Sequence, residues 1–176
     1  MIRVRFLTAA MLLPILTATA PLTIVKTSAV ADDRISTLNP KALPGALVDY
    51  SILVTNPLGT FSAGNTGAVV TGEQFTDPIP VNMCLVVTNY PGATAPVELA
   101  DGVAAGALIG SGLTLPYTSL ASLTDGIEFY DGTTWNYVPV PDANGCDVKV
   151  KQIRMKLNGN HFTGGTFRLR FRTRVN

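Results

Sequence analysis

His161 is the only imidazole in the 176-residue sequence, and general acid–base catalysis is the chemistry it could supply. It sits in Asn158-Gly159-Asn160-His161-Phe162-Thr163-Gly164-Gly165, a stretch that reads as a loop between strands. No nucleophile or carboxylate stands at a recognisable spacing from it, so it reads as a solvated loop histidine. Ser111, in Gly110-Ser111-Gly112, lacks the flanking pattern of a nucleophile elbow. There is no Gly-rich phosphate loop followed by Lys. The carboxylate pair of a glycoside hydrolase is defined by a separation in space and has no signature in sequence. No catalytic and no cofactor-binding residue is assigned, and the chain reads as a non-enzyme.

One His and two Cys are too few for most transition-metal cages. Calcium is the one metal whose ligand chemistry is present. Asp142-Ala143-Asn144-Gly145-Cys146-Asp147 resembles half of a calcium loop but lacks the later Glu. Asp101 and Asp131 also precede Gly. Such pairs in β proteins are usually turns, and no metal ligand is assigned.

Cys84 and Cys146 are the only cysteines. Joined, they would close a loop of about 62 residues. Separate, each would pack as a small apolar residue. An even count in an exported chain favours the bond, and the lack of a C-x-x-C pair argues against a redox site.

The other residues with chemistry to offer are bases sorted along the chain. Residues 42 to 148 hold ten acids and no Lys or Arg, whereas residues 149 to 176 hold eight bases and no acid. Arg168, Arg170, Arg172 and Arg174 alternate with Phe167, Leu169, Phe171 and Thr173. Lys149 and Lys151 alternate with Val148 and Val150, and Arg154 and Lys156 with Ile153, Met155 and Leu157. The parity slips at Gln152, which predicts a β-bulge there. Two terminal strands would then carry basic outer faces and apolar inner ones. Cross-strand acids could neutralise them. Uncompensated, the eight bases would form a face for an anionic surface polymer. Aromatic residues do not share that face, so nucleic acid is an improbable partner.

Those strands must be positioned by an exported fold. Arg3 and Arg5 precede an uncharged run from Phe6 to Val25, and Ala29-Val30-Ala31 ends the segment before two acids. That is the layout of a secretory signal peptide over 1–31, with Ala18-Thr19-Ala20 as an earlier exit. A single domain over 32–176 follows, with no membrane span once the leader is cut. Ten bases against twelve acids then leave a slightly negative chain.

Within that domain the periodicity is two, not 3.6. Ala46, Val48, Tyr50, Ile52 and Val54 form one face of a predicted strand ended by Asn56-Pro57-Leu58-Gly59. Val69–Thr76 reads as another, stopped by Asp77-Pro78-Ile79-Pro80, and Met83–Thr88 as a strand buried on both faces. Ile127–Tyr130 and Trp135–Val138 flank Asp131-Gly132-Thr133-Thr134, which predicts a hairpin with Phe129 meeting Trp135. Gly102–Leu123 reads as a short helical turn or a Gly-rich loop. Many short strands and frequent turns predict an all-β, two-sheet sandwich.

Pro44-Gly45-Ala46-Leu47-Val48-Asp49-Tyr50-Ser51-Ile52-Leu53-Val54-Thr55-Asn56, followed by Asp77-Pro78-Ile79-Pro80, resembles the opening of the bacterial conserved repeat domain of unknown function found in surface proteins. Gly112-Leu113-Thr114, Pro141-Asp142-Ala143-Asn144-Gly145 and Thr166–Arg172 are similar to its secreted single-copy members. The resemblance implies an immunoglobulin-like β-sandwich, surface-associated and without enzyme activity, and the Cys84–Cys146 pair is a departure from it. The expected function is a structural or interaction module of the bacterial envelope, located at the cell surface, outside the cell or in the periplasm. Its partner is unknown, an envelope protein or anionic polymer being the candidates. The alternatives are an anionic-polymer binding module and a pilin-like subunit assembled by strand donation. For donation, Asp32–Asn39 is short and poor in alternating apolar residues.

Overall fold

A computed structural model describes residues 21–36, 38–59 and 67–176. The expected leader lies outside the described residues as far as residue 20. Its final segment does not: Thr23–Asp32 forms β1, paired antiparallel with β2 (Leu47–Thr55) from Thr23↔Thr55 to Asp32↔Leu47. The sheet therefore begins upstream of the domain boundary expected at residue 32.

The remaining strands are β3 (Val70–Thr71), β4 (Gln74–Pro78), β5 (Met83–Val86), β6 (Val97–Asp101), β7 (Leu113–Thr114), β8 (Ile127–Tyr130), β9 (Cys146–Asp147), β10 (Gln152–Lys156), β11 (Asn158–His161) and β12 (Thr166–Val175). A 3-10 turn at Gly102–Ala105 occupies part of the stretch read as turn or loop. One sheet runs β1-β2-β12-β5-β9, with β6 sharing the β12 edge next to β5. Two three-stranded sheets, β4-β10-β8 and β3-β11-β7, lie end to end in chain order, because β10 passes into β11 through Leu157 and β3 into β4 through Gly72 and Glu73. All ladders are antiparallel, as in a sandwich.

β12 is the centre of the fold. It pairs with β2 along Thr166–Arg174 and with β6 and then β5 on its other side. Phe167, Leu169, Phe171 and Thr173 are fully buried, as the two-residue period requires. Val48, Ile52 and Val54 of β2 share that face. From the facing layer, Ile127, Phe129, Ile153, Met155 and Leu157 complete one core cluster. Phe75 meets Phe167 edge to face at 5.8 Å across the gap. Fully burying one such side chain contributes roughly 1.5–3 kcal/mol, so this row is where a polar substitution is most destructive. The Pro44-Gly45 turn starts β2 as expected. Gly45 has φ 88°, which an L side chain resists, and its N–H binds Val175 O, tying the turn to the end of β12.

Four expected elements differ. Val69–Thr76 is two strands, broken at Gly72 (φ 68°) so that the Glu73 side chain turns inward. Pro78 does not stop pairing: it lies opposite Gln152 within β4, an edge strand where its missing N–H can be tolerated. Trp135–Val138 is not a strand, and only an isolated bridge joins Phe129 to Asn136. The Asp131 carboxylate there accepts N–H bonds from Thr133 and Thr134 and bends the chain. Trp135 packs on Tyr130 at 5.0 Å, and β8 pairs with β10. Finally, Val148–Lys151 is a turn and not a strand. Asp147 takes the Lys149 N–H, Val148 is half exposed, and β10 begins at Gln152, where a bulge was expected.

Cys84 and Cys146 form a disulfide that joins the paired strands β5 and β9. Replacing both with Ala is expected to lower unfolding free energy by about 2–4 kcal/mol. Urea denaturation of the oxidised wild type against the double variant measures this.

Candidate functional site: the basic strands and the adjoining cleft

The eight bases singled out from sequence do not form one face. β12 and β10 belong to different layers, and their alternate side chains point away from a shared core. Arg168, Arg170, Arg172 and Arg174 therefore line one outer face and Arg154 and Lys156 the opposite one. Lys149 and Lys151 sit in the turn before β10 and have no carboxylate partner among the described residues. Lys151 Nζ donates to Val148 O at 2.8 Å.

Register explains what the two strands do with their charge. Arg172 stands directly opposite Asp49 of β2, and Nε and an Nη donate to its two carboxylate oxygens at 2.6 and 2.9 Å. Arg170 stands opposite Glu98 of β6 and is held by both of its oxygens. Arg154 stands opposite Glu128 of β8 at 3.0 Å, and Lys156 takes the other Glu128 oxygen. Arg174 reaches Asp142 at 3.1 Å, and Arg168 donates to Ala104 O at 3.0 Å. The hydrogen bonds that Arg170 and Arg172 donate to Glu98 and Asp49 raise their pKa values further.

Aromatic rings cover these pairs. The Arg170 and Arg172 guanidinium carbons lie 5.1 and 5.5 Å from the centre of Tyr90, whose hydroxyl donates to Asp49. Burial, aided by Asp49, pushes the Tyr90 phenol up. On the other face Arg154 stacks 3.6 Å from the centre of Trp135.

Beside the β12 ladder lies an open cleft of about 410 Å³, lined in part by Arg34, Asn89, Tyr90, Asn144, Arg172 and Arg174. Arg34 is the functional candidate missed from sequence, because it follows the expected leader exit. Its φ is 63°, a left-handed conformation uncommon for a residue with a Cβ. Carboxylates hold the chain there: Asp32 accepts the Arg34 N–H, and Asp33 accepts those of Ile35, Ser36 and Lys41. Those amide bonds hold the Asp33 carboxyl below its ordinary pKa. The Arg34 guanidinium makes no ion pair among the described residues.

His161 is not a solvated loop residue. It ends β11 fully buried, with Nδ1 2.6 Å from Glu73 Oε1 and Nε2 2.9 Å from Gly165 O. A carbonyl only accepts, so Nε2 carries a hydrogen. The inward turn of Glu73 at the β3–β4 break supplies this partner, a contact across 88 positions that spacing could not reveal. Ser111 is buried too, and its hydroxyl accepts the Leu113 N–H. Asp101 accepts from Ser111 N.

In the half calcium loop, Asp142 accepts from the Asn144 and Cys146 amides and from Arg174. Its pKa is lowered, chiefly by the Cys146 amide bond. Asp147 is spent on Tyr137, Val140 and Lys149. These carboxylates are occupied as turn and register fasteners. Among the described residues, no group of three His, Cys, Asp or Glu side chains could hold a metal ion.

Comparison with protein-family models, with curated proteins and with solved structures found no match.

Tyr137 donates to Asp147 at 2.7 Å, and desolvation first, then Asp147, pushes its phenol from 10.0 up to about 12. The folded-state pKa is raised, so this contribution to stability is complete below pH 10 and lost as pH climbs toward 12. Tyr137→Phe is expected to flatten the alkaline fall in stability, read by urea unfolding at about pH 9 and about pH 11.

Proposed function

We propose that this chain is an exported, immunoglobulin-like β-sandwich that serves as a non-enzymatic structural or interaction module of the bacterial envelope or cell surface. The observation that carries the reading is the closure of its chemistry. The arginines of β12 are matched by partners inside the fold, and the sole histidine is sealed against Glu73 in the core. Such a molecule offers strands, edges and shape to a partner. The Cys84–Cys146 bond suits an oxidising compartment, and the described residues contain no helix long and apolar enough to cross a membrane.

The leader in this reading ends upstream of β1. Lys26 of β1 donates to the buried Asp77 at 2.5 Å. A cut after Ala31 would remove Lys26 and leave that carboxylate buried without its cation, a costly arrangement. The Ala18-Thr19-Ala20 exit keeps the strand. Fractionation of native cells with intact-mass measurement of the protein tests both points. The expected result is a chain retaining Thr23–Asp32 in the envelope or medium. A cytoplasmic protein with an uncut N-terminus, or one beginning at Asp32, overturns the corresponding part.

A second reading is favoured by one observation, Arg34 in the lining of the 410 Å³ cleft with no ion pair among the described residues. An acidic sugar of a surface polymer fits a guanidinium that lines a cleft beside Asn89 and Asn144. Arg34→Gln is then expected to lower the salt concentration that elutes the protein from heparin resin, with its melting temperature unchanged. Equal elution removes the cleft from consideration.

A further inference from the structure

Every sheet has edges, and this fold guards most of its own. β3, β7 and β9 are two residues long, and β4 carries Pro78. Short strands and proline are the usual protections against unwanted pairing. β1 has neither. It is ten residues long, contains no Pro or Gly, and lies at the end of its sheet. Among the described residues no strand occupies its outer edge. Its first nine residues hold a single charge, Lys26, which is committed to Asp77 in the facing layer. Exposed apolar side chains gather along and after it: Ile24, Val25, Ile35 and Leu38 are 54%, 49%, 80% and 96% exposed.

We propose that the outer edge of β1 pairs with β1 of a second copy, antiparallel about a twofold axis at Thr27. A twofold perpendicular to the sheet places residues of equal parity opposite each other. Centring on Lys26 would oppose two like charges, which is destabilising. Centring on Thr27 sets Ile24 against Val30 on one face, Val25 against Ala29 on the other, and Lys26 against Ser28. The two Thr27 side chains meet at the axis, a favourable cross-strand pair. This register uses only the regular part of the strand, since pairing with β2 shifts between Val30 and Asp32. Joining the edges makes one sheet continuous through two molecules and satisfies backbone groups along both strands. The proposal rests on the reading that β1 survives export.

The experiment uses the exported protein, purified after its intact mass has been measured. Light scattering is expected to show a dimer. Thr27→Lys, which opposes two charges at the axis, is expected to give a folded monomer that melts below the wild type at high protein concentration and whose melting temperature no longer depends on concentration. Thr27→Cys is expected to give a covalent dimer on non-reducing gels, because Cα atoms opposed in an antiparallel pair stand about 4.5–5.5 Å apart, within disulfide reach. Peptide mapping must place that bond between the two new cysteines. A chain that keeps β1 yet is monomeric overturns this proposal alone, including the case in which the edge takes a foreign extended peptide. A dimer indifferent to Thr27→Lys, or one in which Thr27→Cys does not cross-link, overturns it too. A chain that begins at Asp32 overturns it together with the proposed leader exit.

Discussion

The fold depends on one strand having two incompatible faces. Phe167, Leu169 and Phe171 of β12 must leave water, while Arg168, Arg170, Arg172 and Arg174 must keep company with anions or acceptors. The pleat separates the two sets cleanly, but only if β12 is central and its neighbours bring acids at the right positions. Asp49 and Glu98 stand directly across from Arg172 and Arg170, so hydrophobic register and charge register are the same register. A slip by one residue would bury guanidinium groups and expose phenylalanines together. Each cross-strand ion pair contributes only about 0.2–1 kcal/mol; its larger effect is to make the alternative alignments costly.

A second set of polar contacts fixes how the layers meet. Asp77 in the β4 sheet reaches Lys26 of β1 in the other sheet, and Glu73 reaches His161 where β3 gives way to β4. Asn56, just past β2, donates to Ala68 O and His161 O while fully buried. None of these groups contributes much compared with an apolar side chain of equal size. Left alone, each would carry the full penalty of a desolvated polar group. They therefore act as locks, favouring the arrangement in which Lys26 meets Asp77 and His161 meets Glu73, although Asp77 and Glu73 each keep one buried oxygen without a hydrogen bond among the described residues. Consistent with that role, His161 is packed edge to face on Phe167, the first buried ring of β12.

The strand content was legible wherever a two-residue period ran uninterrupted. β2 and β12 show it, because Val48, Ile52, Val54 and the β12 aromatics all face one way. Legibility failed where a side chain competed with the ladder for backbone groups. Asp131 and Asp147 each capture nearby amides and convert apparent strands into turns, a competition that alternation does not register. The charge sorting was visible, and so was the opportunity for acids to neutralise the bases. Which acid met which base was not, since Asp49 and Arg172 are 123 positions apart. Nor was the separation of the two basic strands onto opposite sides, which follows from layer membership. His161 was misread because its partner Glu73, in the break after the β3 strand that pairs with β11, is 88 positions away along the chain. Within β1, Ala29-Val30-Ala31 looks like a processing exit, and Ile24, Lys26, Ser28 and Val30 also form one face of a strand. Small residues and β-strand residues overlap in composition, so one segment carries the local pattern of a processing exit and also pairs as β1 in the fold.

The same charge closure bears on how such a molecule could recognise anything. A protein that attracts partners through its field needs unpaired charge, and here the described cations left without a carboxylate are few and scattered: Arg34 at the cleft, Lys41 in the loop before β2, Lys149 and Lys151 in a turn, and Arg168 against a carbonyl. Long-range steering is correspondingly weak. What the fold presents instead is directional backbone hydrogen bonding along β1, which needs close contact and a matching extended strand. Recognition of that kind is short-ranged, little affected by salt, and selective for register. An open edge of that kind also invites unwanted pairing with other strands unless it is occupied. A self-complementary β1 resolves the difficulty, because pairing with its own copy both uses the open edge and closes it to other strands.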